Sequence, residues 1–194
     1  MAIENNISEE QIIKGCRAHD LEMQKAFYRL YGPEIMGVCM RYLKPRENAE
    51  EVFHDVVLKI YENLHKYKGQ GSLKGWCRRV AVNSCLDFIR KNKNQLRLNY
   101  IEEQTIEVED TVDDLAALKN ANVDEVIKFM DDLPGQQQLV LNLFIVDGYS
   151  HKAIADQLFI SEGASRNLLQ RAKLNLKKKL GINNSLTRVN ENTK

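Results

Sequence analysis

The clearest helical pattern in the chain lies between residues 48 and 64, where apolar side chains recur in adjacent pairs every four residues. This spacing places them on one face of an α-helix and leaves a mainly acidic face outside. The apolar set is Val52, Phe53, Val56, Val57, Ile60, Tyr61 and Leu64, and the outward set is Glu50, Glu51, Asp55, Lys59 and Glu62. Taken alone, the acidic face predicts a solvated surface.

The first 45 residues carry signals for three shorter helices. A capping box formed by Ser8 and Gln11 opens a helix that runs through residue 18. A second helix is predicted over residues 20–31. Gly32-Pro33 is expected to end it, with Pro33 near the start of a third helix that reaches residue 43.

A loop at residues 66–71 precedes a long helix that Ser72 caps and that is predicted to reach Asn92. Its predicted core side is Leu73, Cys77, Val80, Ala81, Ser84 and Phe88. A separate stripe carries Arg79, Asn83 and Arg90, with Trp76 at its edge. Cations for phosphate, an amide for a base edge and a ring for stacking suit contact with a nucleic acid. A plain surface helix whose Trp76 fills the core is the alternative.

Residues 133–180 read as a helix, a turn, a short helix capped by Ser150, a second turn and a long basic helix capped by Ser161. This is the layout of a DNA-binding helix-turn-helix. The predicted core face of the last helix is Ser165, Leu168, Leu169, Ala172, Leu176 and Leu180. The polar stripe opposite is Arg166, Gln170, Lys173 and Lys177, with Asn167 and Arg171 on its flank. A solvated helix of an ordinary bundle shows the same periodicity.

Composition narrows the class of protein. Only 10 glycines and 3 prolines occur in 194 residues, and strand signals are nearly absent, so an all-α fold is predicted. The net charge of +1 conceals two basic blocks, residues 72–100 and 161–194, around an acidic block at residues 102–132. No apolar run is long enough to span a membrane and no signal peptide is evident, which predicts a cytoplasmic protein without membrane insertion.

The four cysteines, at positions 16, 39, 77 and 85, form no CxxC pair, and the histidines add no zinc spacing. Buried, reduced thiols are therefore expected, with a redox role left open. No phosphate loop, nucleophile elbow or metalloprotease motif occurs, so no cofactor, no metal and no catalytic residue are predicted.

These patterns predict two small helical domains joined by a flexible acidic linker. The first domain is expected over residues 8–96, the linker over 97–122, and the helix-turn-helix domain over 123–182, followed by a polar tail at 183–194.

Three segments, in this order and spacing, resemble the extracytoplasmic-function (ECF) sigma factors of bacterial RNA polymerase, which belong to the sigma-70 family. They are AEEVFHDVVLKIYENL, GSLKGWCRRVAVNSCLDFIRK and the helix-turn-helix that ends in SEGASRNLLQRAKLNLKKKL. The resemblance implies a non-enzymatic initiation factor. Its expected partners are core polymerase (the β′ clamp helices and the β flap), promoter DNA and an anti-sigma factor.

The resemblance also implies roles for individual residues. Core polymerase would be bound by Glu50, Glu51, Asp55 and Lys59. The minus-ten element would be bound by Tyr67, Lys68, Lys74, Trp76, Arg78, Arg79, Asn83 and Arg90, with a flipped base received by the loop at 68–74. The minus-35 element would be read by Ser161, Arg166, Asn167, Gln170, Arg171 and Lys173.

Three residues of the last helix, Ser165, Leu168 and Gln170, depart from the choices common in that family, which leaves the promoter sequence open. A helix-turn-helix regulator that is not a polymerase subunit is the main alternative function. It leaves the helices at 48–64 and 72–92 without a role. An enzyme with an active site in a helical bundle is a weaker alternative, because no acid–base set or metal spacing supports it.

Overall fold

The computed structural model describes residues 7–92, 129–130 and 132–180. The chain divides into two compact units, Met1–Arg97 and Leu98–Lys194. Every regular element among the described residues is helical, which confirms the predicted all-α fold. The linker predicted at 97–122 and the tail at 183–194 lie outside the described residues, and the domain boundaries stay a prediction.

The first unit has four α-helices among its described residues. They are α1 (Glu9–Arg17), α2 (Leu21–Tyr42), α3 (Arg46–Asn63) and α4 (Leu73–Lys91), with a short 3-10 helix at Leu64–Lys66. The capping box is confirmed: the Gln11 amide donates to Ser8 Oγ at 3.2 Å, and the Ser8 amide donates to Gln11 Oε1 at 2.8 Å. Ser72 caps α4 as predicted, since its Oγ accepts from the Gly75 amide at 3.1 Å.

The predicted break at Gly32-Pro33 is wrong, because α2 continues through both residues to Tyr42. Proline removes one backbone hydrogen bond and disfavours a helix interior, yet tertiary packing supplies most helical stability in proteins. The helix α2 packs along α1, α3 and α4. Gly32 is buried there, and even an added Cβ would lie 3.8 Å from Phe53 Cζ, an ordinary contact.

The core of this unit confirms the apolar pattern of α3. Its predicted inward residues are buried, apart from Tyr61, which is half-buried and donates its hydroxyl to the Gln24 carbonyl at 2.9 Å. The core face of α4 is wider than predicted and also includes Val82, Cys85, Leu86 and Ile89, whereas Val80 and Phe88 are only half-buried. Two neighbouring helices, α2 and α3, cover α4, so a single predicted stripe is too narrow for it.

All four cysteines are free and buried, which confirms the expectation for the thiols. Burial, followed by the charge of Asp20, raises the pKa of Cys16 to about 11. Burial, followed by the charge of Glu9, raises the pKa of Cys77 to about 12. A hydrogen bond with the Cys85 thiol lowers the pKa of Cys39 against the opposing effect of its burial. Cys16 and Cys77 are therefore protonated, weakly reactive groups near neutral pH.

The second unit contains α5 (Gly135–Leu141), a π-helical turn at Asn142–Val146, α6 (His151–Leu158) and α7 (Glu162–Lys179). Ser150 and Ser161 cap α6 and α7 as predicted, accepting hydrogen bonds from the Ala153 and Ala164 amides. Phe159 ends α6 in a left-handed conformation with φ of 56°, where glycine is the usual residue. None of the described helices is long and apolar enough to cross a membrane.

Candidate nucleic-acid interface

The glycine loop, residues 67–72, joins the 3-10 helix to α4. Gly69 and Gly71 have φ values of 74° and 86°, and an added Cβ at either position would meet open space. Glycine is therefore needed here for the backbone conformation and not for room. The Tyr67 hydroxyl donates to the Gly71 carbonyl at 2.7 Å and closes the loop on itself.

Tyr67, the first residue of this loop, forms an aromatic pair with Trp76 of α4, with ring centroids 5.8 Å apart. Tyr67 is only 8% exposed, while Trp76 is half-buried, so Trp76 has the more accessible ring of the two. The partial exposure of Trp76 is compatible with core filling as well as with an accessible ring, so both interpretations stand. A role for either ring in binding DNA stays a prediction.

The structure separates the predicted minus-ten residues into accessible and engaged groups. Lys68, Arg79 and Asn83 are exposed, and Arg78 is half-buried. Lys74 is also exposed, but its Nζ lies 2.8 Å from Glu34 Oε2. The half-buried Arg90 pairs with Asp87 one turn away on α4. Binding phosphate through Arg90 would thus compete with an existing ion pair.

The outer face of α3 contains an apolar residue that the sequence analysis did not single out. Leu58 is 60% exposed, and helical spacing places it between the exposed carboxylates of Glu51, Asp55 and Glu62. In the sequence, the signal that pointed to Leu58 was an apolar side chain at an outward position of an otherwise charged helix face. Such an anchor within a polar rim is typical of a protein-binding surface.

Two of the residues predicted to bind polymerase, Glu50 and Lys59, already have partners within the first unit. Glu50 accepts from Arg46 Nε at 2.6 Å. Lys59 Nζ lies 3.4 Å from Ser84 Oγ and 3.9 Å from Asp87 Oδ2 on α4. Both side chains keep over 40% of their surface exposed, and exposed ion pairs of this kind are weak enough to exchange partners.

The polar stripe predicted for α7 is partly wrong. Gln170, Lys173 and Lys177 are only 4%, 5% and 6% exposed, although they lie opposite the apolar side. Polarity along a helix shows which side chains tolerate water, but long stems of lysine and glutamine can also be covered. Among the remaining predicted readers, Ser161 and Arg166 are exposed, and Asn167 and Arg171 are half-buried. Leu180, predicted in the core, is half-buried.

Ser165, one of the departures from the family pattern, is fully buried and well placed. Its Oγ lies 2.9 Å from Nδ1 of His151 on α6, and the His151 ring stacks on Phe144 with centroids 4.5 Å apart. A hydroxyl at this position thus joins the two helices of the helix-turn-helix where an aliphatic side chain would only pack. The departure is compensated by His151.

We expect Ser165→Ala to lower the free energy of unfolding of the second unit by about 1 kcal/mol, the net value of one partly buried hydrogen bond. Urea unfolding followed by circular dichroism measures the loss. A double-mutant cycle with His151→Ala isolates the pair. Strictly additive effects of the two substitutions would show that the hydrogen bond contributes nothing.

Comparison with known proteins identifies both units. The family description Sigma-70 region 2 matches residues 27–95, and Sigma-70, region 4 matches residues 124–176, which together cover well over half of the chain. The ECF RNA polymerase sigma factor SigX of Bacillus subtilis is 24% identical over 165 residues, which are 83% of this chain and 85% of SigX. The chain belongs to the ECF sigma factors. As a sigma factor it acts in transcription initiation.

Two further relatives complete the comparison of this sigma factor. An uncharacterized protein of Rhizobium meliloti, R00370, is 29% identical over 148 residues, which are 73% of this chain but 35% of that protein. The sigma factor RpoE of Bartonella quintana, solved with the anti-sigma factor NepR, has a TM-score of 0.50 at 16% identity. That match covers 82% of this chain and 98% of RpoE, and it supports the fold.

Proposed function

We propose that this sigma factor holds a promoter at two points while bound to core RNA polymerase in the cytoplasm. The α3 face with Leu58 at its centre would bind the β′ clamp helices, and the second unit would dock on the β flap. The first unit would capture unpaired bases of the minus-ten element, and α7 would enter the major groove at the minus-35 element. The observation that carries this proposal is the presence of both regions in one chain, with Leu58 exposed on α3 and Arg166 exposed on α7.

Strand separation would be driven by binding energy alone, without an enzymatic step. A base-stacking or bidentate contact contributes about 1–3 kcal/mol. Unstacking and unpairing one base cost a few kcal/mol. Contacts from Asn83, Arg79 and Trp76 are of the right number to offset the flipping of one or two bases, provided that polymerase holds the rest of the bubble.

The exposure of side chains on α7 reduces the set of residues proposed to read the minus-35 element. Arg166 and Asn167 lie on the first two turns of α7, the part of a recognition helix that meets base edges. Arg166 now pairs with Glu162 at 3.2 Å, an exposed i,i+4 contact that guanine or phosphate can replace. Roles for the buried Gln170 and Lys173 stay predictions.

An anti-sigma factor is also a proposed partner. The Bartonella quintana relative was solved bound to one, and the faces proposed here for polymerase and DNA are those that such an inhibitor would have to cover.

We expect Arg166→Ala to weaken promoter binding by the holoenzyme about 10- to 100-fold, the value of one bidentate base contact. Association with core polymerase should be unchanged. Lys178→Ala is the matched control, because it removes one exposed cation from the last turn of the same helix. Gel-shift titration on a mapped promoter and a pull-down with core polymerase measure the two properties.

An equal loss of core association in Arg166→Ala would count against the assignment of α7 to DNA. The pull-down also separates the proposal from its alternative. A chain that binds promoter DNA but neither associates with core polymerase nor supports run-off transcription would be a helix-turn-helix regulator.

A further inference from the structure

The first helix, α1, lies before the segment that matches sigma-70 region 2, which begins at residue 27. It packs on α2 through Ile12 and Cys16, each 1% exposed, and it also contacts the 3-10 helix ahead of the glycine loop. Two charged side chains of α1, Glu9 and Arg17, reach across to the two ends of that loop. Neither was a candidate in the sequence analysis.

Arg17 holds the beginning of the loop. Its Nη2 donates to the Leu64 carbonyl at 3.0 Å and to the Tyr67 carbonyl at 2.9 Å, and its Nε lies 3.3 Å from the same Leu64 oxygen. One planar guanidinium thus binds the carbonyls of the first residue of the 3-10 helix and of the residue that directly follows it. This geometry uses the fixed fork of arginine, which an ammonium group reproduces only in part.

Glu9 holds the end of the loop. Its Oε1 accepts from the amide of Leu73, the first residue of α4, at 3.4 Å, and its Oε2 accepts from the Tyr31 hydroxyl at 3.2 Å. A carboxylate at a helix N-terminus also interacts favourably with the helix dipole. Tyr31 fixes the carboxylate in turn, and its pKa is raised first by burial and then by the charge of Glu9.

The loop between these two anchors has little other support. Residues 68–72 are all exposed, both glycines have positive φ values, and the bond from Tyr67 to Gly71 is internal to the loop. A loop that must receive a base binds more tightly when its shape is set in advance, because less conformational entropy is lost on binding. Anchors from a neighbouring helix provide that shape.

We propose that α1 is a brace for base capture, in which Arg17 and Glu9 are positioning residues that set the glycine loop for an unpaired minus-ten base. The inference rests on the proposed function of the loop. Neither side chain touches the DNA in this proposal. Both act through the backbone of residues 64–73, so the brace affects capture of a base and leaves binding to core polymerase and to the minus-35 duplex unchanged.

The test compares the wild type, Arg17→Met and Lys14→Met as holoenzymes. Methionine keeps the aliphatic stem and removes the charge. Lys14 is an exposed cation in the last turn of α1 with no described contact to the loop, so it is the matched control. A promoter is first mapped from run-off transcripts made by the wild-type holoenzyme. Each holoenzyme is then titrated with a template of this promoter in which the minus-ten region is already unpaired. Positions of the unpaired minus-ten strand are made abasic one at a time.

For the wild type and Lys14→Met, one abasic position is expected to weaken binding about 10- to 100-fold. For Arg17→Met, binding of the intact template should already be about tenfold weaker. The same abasic change should then weaken binding of the template much less than it does in the wild type, because the base and Arg17 contribute to the same binding step. Arg17→Lys should fall between the two. Glu9→Gln should do the same, because its single amide oxygen can accept from the Leu73 amide or from the Tyr31 hydroxyl but not from both.

The outcomes are distinguishable. If the wild type is sensitive to an abasic position and Arg17→Met keeps the full sensitivity, the brace is refuted while base capture stands. If no abasic position weakens the wild type, base capture by the loop is refuted, and the brace with it. Thermal unfolding of each variant shows whether the substitution destabilises the fold. A general destabilisation would weaken binding to the intact and to the abasic template by the same factor, whereas loss of positioning reduces the difference between them.

Discussion

Replacing Leu58 by glutamate is expected to weaken association with core polymerase more than 100-fold while the first unit stays folded. Leu58 is 60% exposed, so most of its surface already contacts solvent and the substitution should leave the packing of the four helices intact. In the proposed complex the same side chain would be buried at the centre of the interface. Loss of a central apolar anchor costs about 2 kcal/mol or more, and a buried unpaired carboxylate adds several kcal/mol.

Leu21→Glu is the matched control, because Leu21 is 69% exposed and lies at the start of another helix, α2. Sedimentation or surface plasmon resonance with core polymerase measures both variants. Similar losses for the two would mean that added negative charge, and not the α3 face, weakens the complex. Full association of Leu58→Glu would remove α3 from the interface.

Replacing Asn83 by alanine is expected to reduce open-complex formation about 10- to 100-fold and to leave recognition of the duplex nearly unchanged. Asn83 is exposed on α4 one turn after Arg79, so its amide is available to a base edge while the neighbouring guanidinium is available to phosphate. The substitution removes two donors and an acceptor without opening a cavity. Permanganate reactivity of unpaired thymines in the promoter measures the effect.

Lys91→Ala is the control for this experiment, because it changes an exposed residue at the end of the same helix that has no proposed role. Binding of the holoenzyme to a duplex minus-35 fragment gives the second readout. An unchanged footprint in Asn83→Ala would refute the role of Asn83 in melting. Loss of duplex binding in equal measure would assign it to initial docking.

Local signals in the sequence predicted where helices begin. The predicted caps Ser8, Ser72, Ser150 and Ser161 each cap a helix in the structure, because a short polar side chain satisfies free amides wherever its neighbours lie. The predicted helix break at Gly32-Pro33 is wrong for a reason that lies outside the local sequence. Packing of α2 against three other helices outweighs a local break, and that packing is absent from a local pattern.

The candidate sites divide in the same way. Residue types and spacing predicted the helix-turn-helix, whereas the α3 face and the glycine loop became candidate sites only through the resemblance to the ECF sigma factors. Leu58 was not among the predicted site residues, because a single apolar residue on a charged face indicates a binding surface only once its exposure is known. Gln170, Lys173 and Lys177 were placed on an open stripe because polarity was taken to imply contact with water.

By itself, the sequence determined the all-α class, the caps, the apolar face of α3 and the membership in a family, all of which rest on residue identity and short-range periodicity. Only the tertiary structure decided that α2 is continuous, that His151 satisfies the hydroxyl of Ser165, and that Arg17 and Glu9 hold the two ends of the glycine loop. Arg17 and the Tyr67 carbonyl are 50 residues apart in the chain. Hydrogen bonds over such separations depend on how helices pack, and no local pattern encodes the packing.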